Sequence, residues 1–302
     1  MADQLRHAIL GAGGVGGLIG SSLGHFGAPV TLVVRRESVA DYPQRLKLDS
    51  PFGHFDVPVS VTAEVPPVDV LWITVKATQL EQGLQALTNP DCVHAIVPLL
   101  NGIDHIALLR SRYGKQKVIP ATIAVESERV SPGHIIHRSP FANLNVSSVG
   151  QALLESTVQQ LQSLGFQCRF IDQDPTLMWS KLVFLAAFAL CTTASGKTTG
   201  EILSDPEWSR LGMGCIKEAA AVAVAEGAQI DVNSMMAAVV KMPGNMRSSM
   251  QKDVEQGKTP ELDAIAGPIL RGAKKHGIDV PATKKLVEIV EQRAGLKQTA
   301  LV

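Results

Sequence analysis

Over its first half the chain alternates short apolar runs with longer amphipathic ones, and then it changes rhythm. Runs at 7–10, 30–34, 68–75, 93–98, 117–120 and 166–171 have strand length and are rich in β-branched residues. Stretches at 15–26, 78–87, 103–112 and 151–164 carry helical spacing between them. Near-continuous apolar strands separated by helices predict a parallel sheet covered on both faces, because each crossover helix buries one face. Two stretches break the alternation. Residues 45–62 swing about a Pro-Phe-Gly turn, and residues 132–148 read in the same way. Both predict antiparallel hairpins appended to the parallel sheet. From Pro175 strand-like runs disappear, and helical patterns follow at 175–193, 206–228, 233–243, 259–276 and 281–294. Gly227, Gly277 and Pro281 fall where helices should end. The break at Ile171–Pro175 divides the chain into domains at 1–174 and 175–302.

The first strand runs into a turn that carries chemistry. Ala8-Ile9-Leu10 leads to Gly11-x-Gly13-x-x-Gly16, and an apolar helical segment follows. This is the arrangement that holds a dinucleotide pyrophosphate. One glycine permits the sharp turn, the second lets backbone approach the phosphates, and the third lets helix pack on strand. Free N–H groups at the helix start then face the anion. The cofactor-binding candidates here are Gly11, Gly13, Gly14, Val15 and Gly16. The class is therefore α/β, an N-terminal Rossmann-type doubly wound sheet followed by an all-helical domain. The next strand, Val30 to Val34, ends in Arg35-Arg36. An NAD-preferring site usually has an acid there for the ribose 2′-hydroxyl, whereas a guanidinium suits a 2′-phosphate. Arg35 and Arg36 therefore predict NADP(H), a preference that Glu37 would weaken if it turned inward.

Composition narrows the picture further. A 302-residue chain with 45% hydrophobic residues is long enough for two cores. The 28 basic and 28 acidic residues cancel, with no basic stripe and no charged tail, so no nucleic-acid partner is expected. The polar first residues do not resemble a signal peptide. The longest apolar run, Leu182 to Cys191, reads as a buried helix too short to span a bilayer. Cys92, Cys168, Cys191 and Cys215 are scattered, as in a reduced, cytoplasmic protein. Histidine spacing gives no metal site; His134 and His137 flank a strand-like pair.

Further candidates sit where such a fold gathers ligands. Lys76 follows the strand Val70 to Val75, and Asn101-Gly102 follows Ala95 to Leu100; ligands bind beyond the carboxyl ends of such strands. The local alternatives are a surface lysine and a simple turn. Lys181 stands in the apolar segment Met178 to Phe184, where an ammonium must find partners, lose its proton or snorkel to water. A lysine with a depressed pKa suits general acid work. Ser248 and Ser249 lie close to Arg247 and Lys252. Thr259, before Pro260 and Glu261, reads as an N-cap, with Glu261 a favourable charge in the first helical turn.

Taken in order, these motifs resemble the ketopantoate reductase family. The likeness rests on the glycine turn with Arg35, Val75-Lys76-Ala77, Asn101-Gly102, Pro132 to His137, Trp179 to Leu182, Ser248 to Asp253 and Glu261 to Asp263. It implies NADPH-dependent reduction of a 2-oxo acid, by default 2-dehydropantoate, with Lys181 as general acid and Glu261 organising the site. It further implies substrate contacts from Ser249, Lys76 and Asn101, the last two also near the nicotinamide. One departure stands out. The family usually carries asparagines four and eight residues after the lysine, where this chain has Leu185 and Ala189. Two lost amides predict a more apolar carbonyl substrate, a change that asparagines restored at 185 and 189 would test.

Two other readings are compatible with the motifs. One is an NADP-linked reductase of another ketone, β-hydroxyacid or imine, against which Lys181 and the Ser-Ser-Met motif speak. The other is a non-catalytic NADP(H)-binding sensor, which has no use for a proton donor. The expected partner is a small 2-oxo acid or ketone, with no membrane. Any face of the helical domain can pair two copies, so a homodimer is compatible.

Overall fold

Strand β1 (His7–Leu10) is buried at every position, and its alternation explains why the sheet has two cores. Ile9 joins Leu32, Val70 and Trp72 on one face, while Ala8 and Leu10 join Val33, Leu71 and Ile73 on the other. Successive strand side chains point to opposite faces, so a fully apolar strand must be covered twice. The computed structural model describes residues 4–296. They form two compact units. One comprises the chain through Leu100 together with His105–Leu177; the other comprises Asn101–Asp104 and the chain from Met178 onward.

In the first unit β1 pairs in parallel with β2 (Val30–Val33) and β6 (Val68–Ile73). The edges are β5 (Ser60–Thr62) beside β2 and β7 (Val93–Pro98) beside β6, which gives a five-stranded parallel order β5-β2-β1-β6-β7. Helices α1 (Gly14–His25), α2 (Leu80–Leu84) and α3 (Asp104–Tyr113) follow β1, β6 and β7.

The hairpin expected at 45–62 forms, whereas the one expected at 132–148 does not. Strands β3 (Arg45–Ser50) and β4 (Gly53–Pro58) pair antiparallel, as do β9 (Ser127–Ser131) and β10 (His134–His137). Strand β10 then pairs with β3 in parallel, giving a separate four-stranded sheet. The turn at Pro132-Gly133 instead joins β9 to β10, and the two strands within 132–148, β10 and Asn143–Ser147, lie in different sheets, because β10 takes β9 and β3 as its partners. The expected strand at 117–120 reduces to a single bridge between Val118 and Ile96. The strand proper is β8 (Ala121–Ala124). It pairs with β11 (Asn143–Ser147), which also takes β12 (Gln167–Ile171), so the 166–171 run belongs to a third sheet. Helix α4 (Gln151–Leu164) ends at Gly165, whose φ of 111° is the left-handed conformation glycine adopts freely.

The second unit is helical. It contains most of α5 (Asp174–Ser195), then α6 (Thr199–Ser204), α7 (Pro206–Ala225), α8 (Val232–Val240), α9 (Ser249–Glu255), α10 (Leu262–His276) and α11 (Pro281–Arg293). Its core draws on Leu182, Val183 and Leu190 of α5, Ile216 and Ala219 of α7, Ile265 and Ile269 of α10, and Leu286 and Val290 of α11. Helix α5 is long and apolar enough to cross a membrane by length and composition alone, longer than the 182–191 run suggested. Yet 72% of its most apolar stretch is buried inside the protein.

Candidate functional site

In the first unit the glycine turn is shaped for close approach. Gly11 has φ 102°, and a Cβ there would stand 2.8 Å from both Cγ1 and the backbone nitrogen of Val75. Only glycine fits both the conformation and the space. At Gly16 an added Cβ would run into the Gly11 carbonyl and Thr74, so this position sets the contact of α1 with its strand. Gly13 is different. A Cβ there would meet nothing within 4 Å, so this glycine faces open space at the N-terminus of α1. Gly13 is the N-cap, no side chain caps it, and no acid lies in the first turn. The first N–H groups of a helix have no partner within it and carry positive potential, so the turn can receive an anion. Val15 is half-buried against the core, and Gly14 packs on Ser127, whose hydroxyl donates to the Gly14 carbonyl at 3.0 Å. Sequence reading missed Thr74. Its hydroxyl lies 2.7 Å from the Gly11 carbonyl oxygen and supports the turn from β6. The local signal is a hydroxyl one residue beyond β6, beside β1.

The two arginines differ in their partners. Arg35 and Arg36 are both exposed, as is Glu37. The Arg36 guanidinium pairs with Glu64 at 2.8 Å. Arg35 makes no ion pair among the described residues. Lys76, exposed, lies past the end of β6 at the start of a short turn.

In the second unit three of the candidate residues meet. Lys181 Nζ donates to Asn101 Oδ1 at 3.1 Å, and Asn101 Nδ2 donates to Glu261 Oε2 at 3.0 Å. The amide thus stands between a cation and a carboxylate, its two ends oriented by their charges. Burial lowers the Lys181 pKa to about 8, and the nearby Glu261 carboxylate opposes that fall. Half-buried Lys181 resolves the sequence alternatives: its ammonium ends in a hydrogen-bond chain. Glu261 is buried at 7% exposure. It occupies the N-cap position of α10, one residue before the helix, and its side chain makes no capping bond there. The expectation that Thr259 caps this helix is corrected, since Thr259 lies outside it and is exposed.

The loop that carries Asn101 is clamped. Gly102 has φ 81°, and the backbone of Ala264 fills the space its Cβ would need. Arg271 of α10 pairs with both Asp104 and Asp263. These partners are far apart in sequence, so no local pattern announces the clamp. The serine pair divides its work. Ser248 is buried and caps α9 by accepting from Gln251 N at 3.1 Å, and Thr192 Oγ1 lies 2.7 Å from its hydroxyl. Ser249, the first residue of α9, is exposed. Of the two positions that depart from the family pattern, Leu185 is half-buried and Ala189 is buried in the helical core.

Comparison with known proteins follows the same division. A family model described as "Ketopantoate reductase PanE/ApbA" matches residues 7–151, and "Ketopantoate reductase PanE/ApbA C terminal" matches residues 176–294. The 2-dehydropantoate 2-reductase of Mycobacterium tuberculosis H37Rv is 30% identical over 231 residues, 74% of this chain and 76% of that protein. That of Archaeoglobus fulgidus is 25% identical over 289 residues, covering 94% and 96%. The crystal structure of 2-dehydropantoate 2-reductase from Geobacter metallireducens GS-15 superposes with a TM-score of 0.83 at 26% identity, covering 95% and 99%.

Proposed function

This chain belongs to the ketopantoate reductase family, and on that premise we propose that it reduces a 2-oxo acid to a 2-hydroxy acid with NADPH, Lys181 being the general acid. It is an oxidoreductase acting on CH–OH groups. The observation that carries the reading is the chain from Lys181 through Asn101 to Glu261, with the lysine pKa lowered to about 8.

The glycine turn fits a dinucleotide, because Gly13 opens onto free space at an uncapped helix start. Gly11, Gly13, Gly14, Val15 and Gly16 would hold the pyrophosphate, and Arg35 the 2′-phosphate. Arg36, held by Glu64, contributes less. When bound, the reduced nicotinamide supplies a hydride equivalent to the substrate's carbonyl carbon. Lys181 Nζ gives a proton to the carbonyl oxygen as negative charge develops there, and regains one from solvent. A pKa near neutrality favours both halves of that cycle. Asn101 holds the ammonium in one direction. Glu261 keeps it protonated and leaves the site with compensated charge. Ser249, Lys76 and Asn101 offer the donors that a 2-oxo acid carboxylate needs.

The test is NADPH oxidation by the purified protein with 2-dehydropantoate and other 2-oxo acids, with Lys181→Ala as control. Turnover lost in the control supports the reading. NADPH binding without turnover of any 2-oxo acid would replace it with a sensor.

A further inference from the structure

Between Lys181 and Leu190 the residues of α5 with partial exposure are Lys181, Phe184, Leu185 and Phe188. Their spacing is i, i+3, i+4 and i+7, which places them on one helix face. The face that begins at the ammonium therefore continues as hydrocarbon. The Phe184 and Phe188 rings lie 6.4 Å apart between centroids, and Leu185 packs on the helical core beside them. The next hydroxyl along this face is already engaged: Thr192 Oγ1 lies 2.8 Å from the Phe188 carbonyl oxygen and 2.7 Å from Ser248 Oγ. Phe188 also forms part of the wall of an apolar cavity of about 40 Å³, with Cys191, Ile202, Met213, Ile216 and Val239. Met213 there is flexible enough to yield to a larger neighbour.

We propose that the substrate is a 2-oxo acid whose side chain is a hydrocarbon without a hydroxyl, seated on Phe184, Leu185 and Phe188. The inference rests on the reading of the protein as a 2-oxo acid reductase acting through Lys181. The reason is desolvation. A substrate hydroxyl pressed against this face loses water and gains no partner. A pocket of this kind rejects an added hydroxyl by up to about 100-fold.

A matched pair of substrates isolates the effect: 3,3-dimethyl-2-oxobutanoate and its 4-hydroxy derivative, 2-dehydropantoate, differ only in that hydroxyl. The expected result is at least a tenfold higher kcat/KM for the hydroxyl-free member. Leu185→Asn should narrow that ratio by raising turnover of the hydroxylated one. Calorimetric binding of the two 2-hydroxy acid products to NADP⁺-loaded protein should show the same order. Ala189→Asn is less informative, because Ala189 is 1% exposed and an amide there is buried in the core. Equal or better turnover of 2-dehydropantoate overturns the inference and leaves the reductase reading intact. No turnover of either acid by protein that binds NADPH overturns both. If Leu185→Asn fails to fold, the ratio in the unaltered protein decides.

Discussion

A lysine in an apolar helix has three ways to exist, and the partners of Lys181 select among them. Its ammonium is desolvated enough to bring the pKa down to about 8, yet Asn101 and Glu261 keep the charged form accessible. As the proposed general acid it must carry its proton into the reaction. The expected kcat/KM is therefore flat below pH 8 and falls about tenfold per unit above it. Lys181→Ala should cost about 10²–10⁴ in kcat, the usual range for a general acid. Glu261→Gln removes the charge that raises the lysine pKa, so the descending limb should move to lower pH. A limb that stays in place in this variant would assign Glu261 to structure alone. The arginines make a second residue-scale comparison. Arg35→Ala should weaken NADPH binding about 10- to 100-fold and leave NADH binding little changed, as expected for lost charged hydrogen bonds to a phosphate. Arg36→Ala should change either by about twofold at most, because its guanidinium is exposed and paired with Glu64. Equal losses in the two variants would contradict the split.

At the scale of the element, the glycine turn separates a part in folding from the proposed part in cofactor binding. Gly16→Ala presses a methyl group onto the Gly11 carbonyl and Thr74, so it should cost about 1–3 kcal/mol of stability by overpacking. Gly13→Ala meets no atom within 4 Å, and its backbone (φ −87°, ψ −162°) is open to any residue. That variant should keep its melting temperature and still bind NADPH at least about tenfold more weakly, roughly 1.4 kcal/mol. Thermal melting and a cofactor titration on the two variants check this. If Gly13→Ala binds normally, the pyrophosphate does not approach at that position. The turn was legible because its signal is local: an apolar strand, spaced glycines and a helix within ten residues. Pairing was less legible. The polar–apolar pattern gave β3, β4 and β10 as strands, but the parallel bond between β10 and β3 joins residues far apart in the chain. Short helices α6 and α9 were also missed, since one or two turns do not establish a period.

For the whole molecule, the sequence marked candidate site residues more readily than it showed how they meet. Lys181 and Asn101 stood out for local reasons and Glu261 only through the family resemblance, and their hydrogen-bond chain depends on a loop clamped by Gly102 and Arg271. Stability carries a similar hidden dependence on one residue, in the first unit. His7 opens β1 and is 2% exposed, and its Nδ1 accepts from Trp72 Nε1 at 3.2 Å. Burial lowers its pKa from 6.5 to about 4, although Asp69 pulls the other way. The folded state therefore holds His7 neutral, while the unfolded chain takes up a proton below pH 6.5. More protons bind to the unfolded form in that window, so stability rises with pH. The contribution is complete above pH 6.5, is lost as pH falls through about 4, and amounts to about 3 kcal/mol at most. Denaturant unfolding followed by tryptophan fluorescence between pH 4 and 7 should show that slope. His7→Gln keeps an acceptor for the Trp72 indole and has no proton to gain, so the slope should flatten while stability at pH 7 changes little. An unchanged slope in that variant would move the acid sensitivity to the paired carboxylates. Among these, Asp69 is held below its usual range by Arg6 and loses its share of stability only at still lower pH.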